Sequence, residues 1–269
     1  MEPGFRITPK EILVEKKGFL LDMDGTVYLG NRLIEGSDGF VNACRKGGKR
    51  LLFLTNNSSR DRSEYSRKLS GMGISAEPSE VLTSGEATAV YLADSTTYRR
   101  VYVLGTESLR AEFESSGFEL ESNDPEAVVV GFDMELTYDR LRRACYHIRN
   151  GVPFFATHPD INCPTEEGPI PDCGSILMAI EASTGLKPKI IGKPHREMVD
   201  SALAKMKLDR SSVAMVGDRL YTDVAMGKDA GITSVLVLSG EATLEDVAES
   251  SYKPDVIVDR LADLTGIVG

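Results

Sequence analysis

Short apolar runs alternate with longer amphipathic stretches along nearly all of the 269-residue chain. Such runs are typical of strands buried on both faces of a parallel sheet, and amphipathic stretches of the helices that cover it. The alternation therefore predicts an α/β fold, with a Rossmann-like parallel-sheet core built from βαβ units. The predicted strands are 19–23, 50–54, 101–104, 127–130, 153–156, 190–191, 213–216, 234–238 and 256–258.

The sequence also predicts two domains. Motifs rich in polar side chains are confined to the parts of the chain before about residue 60 and after about residue 190. Turn-rich stretches with glycine and proline, at 71–78 and 185–188, bound the segment between them. We therefore predict a core domain made of residues 1–81 and 188–269, with an inserted α/β domain of residues 82–187.

Composition excludes several classes of protein. The formal net charge is −10 and the sequence contains no block of lysine and arginine, which argues against a nucleic-acid partner. No apolar run has the length of a membrane span, and no secretory signal is visible, so we expect a cytoplasmic protein without a membrane partner. The four cysteines lack a Cys-x-x-Cys pair, so structural zinc is not expected; a bond between Cys163 and Cys173 stays open.

Two carboxylates follow the first apolar run directly. Asp22 and Asp24 are two residues apart, and Gly25 after them allows the chain to turn sharply. Since the run at 18–21 is typical of a buried parallel strand, both carboxylates should lie at its carboxyl end. Open α/β sheets form their ligand sites at that edge.

Three further polar motifs follow predicted strands of the core. They are Thr55-Asn56-Asn57-Ser58, Gly192-Lys193-Pro194, and Gly217-Asp218-Arg219 with Asp223. Together with the first pair, this crowds up to four carboxylates, which favours a hard divalent cation with oxygen ligands, ordinarily Mg²⁺ in phosphate chemistry. One lysine, one threonine hydroxyl and the N–H groups of a helix expected to begin at 56–59 would suit a phosphoryl group. Each part also has a plain structural interpretation: Asn56 and Ser58 as helix caps, Lys193 as a solvated loop residue, and Asp223 as the start of a helix.

In this order the four motifs resemble those of the haloacid dehalogenase-like (HAD) superfamily of aspartate-dependent phosphohydrolases. The longer stretches 24–30, 55–59, 192–194 and 217–223 resemble its NagD-like, 4-nitrophenylphosphatase branch. In that branch a large α/β cap is inserted between the second and third motifs, where the inserted domain is predicted here. The resemblance covers nearly the whole chain and implies an HAD-like core.

The resemblance implies a role for each matched residue. Asp22 would be the nucleophile that forms an aspartyl-phosphate, and Asp24 the general acid and then base. The phosphoryl group would be held by substrate-binding residues, and Mg²⁺ by aspartates, Asp24 through its backbone carbonyl and Asp223 directly or through water or Lys193. The implied substrate-binding residues are Gly25, Thr55, Asn56, Asn57 and Lys193; the implied metal-binding residues are Asp22, Asp24, Asp218 and Asp223.

The leading hypothesis is a Mg²⁺-dependent phosphatase acting on a small phosphorylated metabolite, with 4-nitrophenyl phosphate as an artificial substrate. A phosphotransferase using the same intermediate, a non-catalytic metabolite-binding protein and a dinucleotide-dependent oxidoreductase are the alternatives; the last lacks a Gly-x-Gly-x-x-Gly motif after a strand. Sugar phosphates, nucleotides, phosphoglycolate and pyridoxal phosphate stay open as substrates, and a homo-oligomer stays open as the assembly. In the loop from His158 to Cys173, His158 stands where the branch more often has asparagine; a turn histidine and a substrate-facing residue are both open.

Overall fold

The computed structural model describes residues 9–121, 123–165 and 167–269. Within these ranges the strands are, in chain order, β1 (Gly18–Asp22), β2 (Tyr28–Leu29), β3 (Arg32–Leu33), β4 (Arg50–Thr55), β5 (Val81–Thr83), β6 (Arg100–Leu104), β7 (Glu119–Leu120), β8 (Ala127–Val130), β9 (Phe154–Ala156), β10 (Asn162–Cys163), β11 (Ile170–Pro171), β12 (Lys189–Ile190), β13 (Val213–Gly217), β14 (Thr233–Val237) and β15 (Val256–Val258). The helices are α1 (Pro9–Leu13), α2 (Ser37–Lys46), α3 (Arg62–Gly71), α4 (Ser84–Ser95), α5 (Glu107–Ser115), α6 (Tyr138–Arg149), α7 (Cys173–Thr184), α8 (Arg196–Met206), α9 (Ala225–Ala230), α10 (Leu244–Glu249) and α11 (Thr265–Val268).

The chain divides into two compact units. Within the described residues, the first comprises the chain up to Leu54, Ser66–Val81 and Ala202–Gly269, and the second comprises Thr55–Tyr65 and Leu82–Ser201. Residues 55–65 and 188–201 therefore group with the second unit, whereas the sequence pattern placed them in the core domain. The assignment of a catalytic core and a cap stays a prediction.

A six-stranded sheet, in the order β15-β14-β13-β1-β4-β5, is the frame of the first unit. The pairs that β1 forms with β13 and β4 are parallel, and Leu21 is in register with Val216 while Asp22 is in register with Leu54. All five residues of β1 are buried, and Phe19 packs edge-on against Phe40 of α2 with ring centroids 5.5 Å apart. Burying such a side chain contributes about 1.5–3 kcal/mol, so this strand is anchored by its own apolar run.

The second unit contains a five-stranded parallel sheet in the order β12-β9-β8-β6-β7. Its central strand β8 sends Val128 and Val130 into one apolar cluster and Ala127 and Val129 into the other, as the two-residue period of a strand requires. Helices α6 and α7 cover the first face, and α4 and α5 cover the second. Neighbouring buried strands of this kind explain the near-continuous apolar runs in the sequence.

The predicted α/β fold class with parallel sheets is confirmed. The sequence pattern assigned one strand to the wrong sheet. Strand β12, which precedes Lys193, pairs with β9 in the second unit rather than with the strands around β1.

All four cysteines are free thiols, so the bond left open between Cys163 and Cys173 is not formed. Within the described ranges, no helix is both long enough and apolar enough to cross a bilayer. The cytoplasmic location stays a prediction.

Candidate active site

Three carboxylates meet at the carboxyl edge of the first unit's sheet. Asp22 is the last residue of β1, Asp218 directly follows β13, and Asp223 lies in a π-helical turn, Leu220–Val224. Each offers one carboxylate oxygen, and these three oxygens all lie within 4.8 Å of one another. The three residues are 9%, 2% and 1% exposed, respectively. We refer to these three residues as the acidic cluster.

Two hydrogen bonds between Arg219 and Asp223 close the turn that follows Asp218. The backbone N–H of Arg219 donates to Oδ2 of Asp223 at 3.1 Å, and the backbone N–H of Asp223 donates to the carbonyl of Arg219 at 3.0 Å. One oxygen of Asp223 is therefore held by its own turn. Wide turns of this type inside helices are frequent at functional sites.

The acidic cluster suits a hard divalent cation. Its donors are carboxylate oxygens only, a set that favours Mg²⁺, Ca²⁺ or Mn²⁺ over softer metals. Three carboxylates this close repel one another unless positive charge lies among them. Burial lowers the pKa of Arg219, but the carboxylates of Asp22, Asp218 and Glu241, with Tyr221, outweigh burial and hold it above its ordinary value. The cluster therefore attracts positive charge strongly.

The carboxylate of Asp24 is not one of these three oxygens, and the residue is only half-buried. The backbone of Asp24 forms an isolated β-bridge with that of Tyr28. The backbone N–H of Gly25 donates to the carbonyl of Tyr28 at 2.8 Å, and Gly25 has a φ of +89°. Burial raises the pKa of Asp24, although Lys68, a backbone hydrogen bond from Gly30 and Arg219 oppose the shift. A raised pKa favours the protonated form that a general acid needs. A metal contact through its backbone carbonyl stays a prediction.

In the second unit, the side chain of Asn56 links two distant segments. Its Oδ1 accepts from the backbone N–H of Lys193 at 2.8 Å, and its Nδ2 donates to the Lys193 carbonyl at 3.0 Å. The same Nδ2 lies 3.2 Å from both carboxylate oxygens of Asp160. Both Asn56 and Lys193 are buried. The amide of Asn56 thus fixes the backbone at Lys193, and its own polar atoms are occupied by protein groups.

The helix expected to begin at 56–59 begins later, at Arg62. Asp61 caps it: its Oδ1 accepts from the N–H of Glu64 at 2.8 Å, and Oε2 of Glu64 accepts from the N–H of Asp61 at 3.0 Å. The interpretation of Asn56 and Ser58 as caps of this helix was therefore wrong, as was the expectation of free helical N–H groups at 56–59. The backbone N–H of Asn57 donates to Thr55 Oγ1 at 3.1 Å. The backbone N–H of Ser59 donates to Asn57 Oδ1 at 2.9 Å.

His158 is fully buried and is not a surface turn residue. Its Nε2 lies 2.9 Å from Oδ1 of Asp172, and its Nδ1 lies 2.8 Å from Oγ1 of Thr157. Thr157 in turn lies 3.0 Å from the Ser58 hydroxyl. His158, Asp160 and Asp172 also have ligand atoms within 4.8 Å of one another. Because both ring nitrogens already have protein partners, this group is a hydrogen-bond network rather than a metal site.

The sequence drew attention to the loop from His158 to Cys173, which contains Asp160 and Asp172. It did not indicate that Asp160 would contact Asn56 or that Asp172 would contact His158. The segment after β14, residues 239–242, hydrogen-bonds to Gly25 and Asp218. The signal that could have indicated this segment is Gly240, a glycine shortly after a strand, but the segment resembles no catalytic motif.

The chain matches known hydrolases over most of its length. A family model described as haloacid dehalogenase-like hydrolase matches residues 19–119, and one described as HAD-hydrolase-like matches residues 190–264. An acid sugar phosphatase of Staphylococcus haemolyticus is 38% identical over 239 residues, covering 88% of this chain and 91% of that protein.

Two solved structures extend the comparison. A 4-nitrophenylphosphatase of Thermotoga maritima is 47% identical with a TM-score of 0.92, over 96% of this chain and 99% of that one. A glycerol phosphate phosphatase of Mycobacterium tuberculosis, solved in complex with magnesium, is 32% identical with a TM-score of 0.87, over 93% of this chain and 76% of that one.

A parallel α/β sheet with a carboxylate cluster at its carboxyl edge, and these relatives, define an enzyme of the hydrolase class. The chain belongs to the haloacid dehalogenase-like hydrolases. Within them it is a phosphatase with NagD-like and 4-nitrophenylphosphatase relatives, which confirms the resemblance and the class of enzyme predicted from the sequence.

Proposed function

We propose that this protein is a Mg²⁺-dependent phosphatase that hydrolyses small phosphate monoesters, sugar phosphates first among them, through an aspartyl-phosphate on Asp22. The observation that carries the proposal is the acidic cluster, in which the strand-end carboxylate of Asp22 lies beside those of Asp218 and Asp223. The names of relatives that act on sugar phosphates and on 4-nitrophenyl phosphate support the substrate class. A relative solved with magnesium supports the choice of cation.

In the proposed reaction, a carboxylate oxygen of Asp22 forms a bond to phosphorus while the bond from phosphorus to the ester oxygen breaks. Asp24 gives its proton to the departing alkoxide, and the raised pKa of Asp24 supports this role. In the second step Asp24 takes a proton from water, which attacks phosphorus and releases inorganic phosphate and free Asp22. Asp22, Asp218 and Asp223, with the Asp24 carbonyl, would hold Mg²⁺, which supplies stabilisation of negative charge on the phosphoryl oxygens.

We assign the phosphoryl contacts to Thr55, Asn57, Lys193 and the backbone near Gly25. Lysine is a point charge suited to a phosphoryl oxygen, and the Thr55 hydroxyl adds a donor. The amide nitrogen of Asn57 donates one hydrogen to Cys163 while Oδ1 accepts from Ser59, so we assign the second hydrogen of Nδ2 to the phosphoryl group. Asn56 serves the same end by positioning, since its side chain is already bonded to Lys193 and Asp160. We further propose that the inserted α/β segment, residues 82–187, acts as a cap that selects the alcohol part of the substrate.

The test is phosphate release from a panel of sugar phosphates, glycerol phosphate, nucleotides, phosphoglycolate, pyridoxal phosphate and 4-nitrophenyl phosphate. We expect turnover with Mg²⁺, none with excess EDTA, and recovery when Mg²⁺ is restored. Asp22→Asn should abolish turnover, whereas Asp259→Asn, at an exposed position, should not change it. Release of inorganic phosphate without any added acceptor separates a hydrolase from a phosphotransferase. Binding of a panel member without release would support a metabolite-binding protein and contradict the proposal.

A further inference from the structure

A loop that belongs to none of the four catalytic motifs contacts the acidic cluster. This 239–242 loop, residues 239 to 242, directly follows Leu238, the residue after β14. The backbone N–H of Glu241 donates to Oδ2 of Asp218 at 2.8 Å, and the N–H of Ala242 donates to the Asp218 carbonyl at 3.1 Å. Backbone donors of this kind hold a carboxylate in one rotamer without adding a side chain to the site. Asp218 is therefore fixed at both its side chain and its carbonyl.

The same loop is tied to the turn that follows Asp22 and Asp24. The hydroxyl of Ser239 donates to the carbonyl of Gly25 at 2.8 Å. A Cβ built on Gly25 would lie 2.3 Å from Oδ2 of Asp218, and a Cβ on Gly240 would lie 2.1 Å from that oxygen and 2.7 Å from Cβ of Asp218. Real atoms do not approach so closely, so the carboxylate of Asp218 fits between two glycines. A side chain at residue 240 would displace it.

The charges around the loop fit the same role. The Glu241 carboxylate pairs with the Arg219 guanidinium, Oε2 to Nε at 2.9 Å, and Arg219 is the residue next to Asp218. This pair joins the loop to the turn of the acidic cluster through side chains, while the Glu241 N–H joins it through the backbone. Both connections act on the segment 218–219, so the loop and the cluster are fixed together.

We propose that the 239–242 loop is a positioning element for the divalent-cation site, in which Gly240 and the N–H of Glu241 set the carboxylate of Asp218 in place. This deepens the proposed function and rests on it for the nature of the cation. Residues that orient a metal ligand in this way typically change metal affinity by about 10- to 100-fold when altered.

The test is direct binding of Mn²⁺, a paramagnetic cation with the same preference for oxygen ligands, followed by electron paramagnetic resonance of the free ion. Gly240→Ala should raise the Mn²⁺ dissociation constant by about 10- to 100-fold. Ser239→Ala removes one hydrogen bond without a steric clash and should raise it by less. The matched control is Gly266→Ala, at a position where an added Cβ meets no atom within 4 Å, and it should bind Mn²⁺ as the unaltered protein does.

An unchanged dissociation constant in folded Gly240→Ala would overturn the proposal, as would the absence of Mn²⁺ binding by the unaltered protein. If Gly240→Ala does not fold, Ser239→Ala decides, and equal affinity in that variant would overturn it. Weakened Mn²⁺ binding in the variants supports the positioning role even if no phosphate ester is hydrolysed. Failure of the proposed function is therefore distinguishable from failure of this inference.

Discussion

The side-chain carbonyl of Asn56 accepts a hydrogen bond from the backbone N–H of Lys193 at 2.8 Å, across 137 positions of the sequence. The amide nitrogen of Asn56 returns a bond to the carbonyl of Lys193 and also contacts Asp160. The second and third motifs are thus joined by one buried amide. Removing that amide should disturb both stability and the placement of the lysine.

Asn56→Ala should lower the free energy of unfolding by about 1–3 kcal/mol, because the Lys193 N–H and the Asp160 carboxylate lose a buried partner. It should also lower kcat/KM by about 10- to 100-fold if Lys193 holds the phosphoryl group, since small displacements of a binding group have effects of that size. Urea unfolding and steady-state kinetics measure the two effects. Asn42→Ala, at an exposed position on α2, is the control. Unaltered kinetics in a destabilised Asn56→Ala would contradict the role assigned to Lys193.

The pair His158 and Asp172 offers a second prediction. Both side chains are buried and lie 2.9 Å apart. His158→Ala should lower the free energy of unfolding by about 1–3 kcal/mol, because the buried carboxylate of Asp172 loses one hydrogen-bond partner and keeps the N–H of Cys173. In a double-mutant cycle, the variant that combines His158→Ala and Asp172→Ala should lose less free energy of unfolding than the two single variants lose in sum. Denaturant unfolding measures these losses. If the loss in the double variant equals the sum of the two single losses, the two side chains do not interact.

Glu112 predicts a dependence of stability on pH. Burial, with Glu86 and Asp61 nearby, raises the pKa of Glu112 from 4.5 to about 8, although Thr83 and Arg62 oppose the shift. The folded state therefore holds a proton that the unfolded state releases between these two values. Its stabilising contribution is complete below about pH 4.5 and is lost as the pH rises through about 8.

The variant Glu112→Gln keeps the neutral form at every pH. Its free energy of unfolding should match that of the unaltered protein near pH 5 and exceed it near pH 9, on the order of 1.4 kcal/mol for each pH unit crossed between the two pKa values. Urea unfolding at both pH values measures the difference. Glu114→Gln, at an exposed position on the same helix, should show no such crossover. Equal pH dependence in Glu112→Gln and the unaltered protein would contradict the account.

Much of the frame was predictable because its signals are local. The apolar run of β1 is buried at every position, so its strand, and the placement of Asp22 at its end, follow from the residues themselves. The grouping of Asp22 with Asp218 and Asp223 follows from parallel strands ending at one edge. Strand β12 has only two residues, too short a pattern to indicate which sheet it joins. The late start of α3 depends on a capping box at Asp61 that competes with nearby Asn and Ser residues.

Two groups of contacts, one in each unit, have no signature in the pattern of side chains along the sequence. The carboxylate of Asp218 is positioned by the backbone N–H of Glu241, and it fits there because Gly240 has no side chain. The network around His158 depends on Asp172, the N-cap of α7 and 14 positions away, and on Ser58, which is distant in sequence. Such contacts are set by tertiary packing, which a single sequence does not reveal.

The most direct test of the central claim is to find the covalent intermediate on Asp22. The variant Asp24→Asn should still be phosphorylated by 4-nitrophenyl phosphate with Mg²⁺, because nitrophenolate leaves without a proton, but should lose the base that activates water. Acid quenching followed by peptide mapping is expected to place a hydroxylamine-sensitive phosphoryl group on the peptide containing Asp22, and none in Asp22→Asn. Turnover by Asp22→Asn, or a phosphoryl group on another residue, would contradict the account.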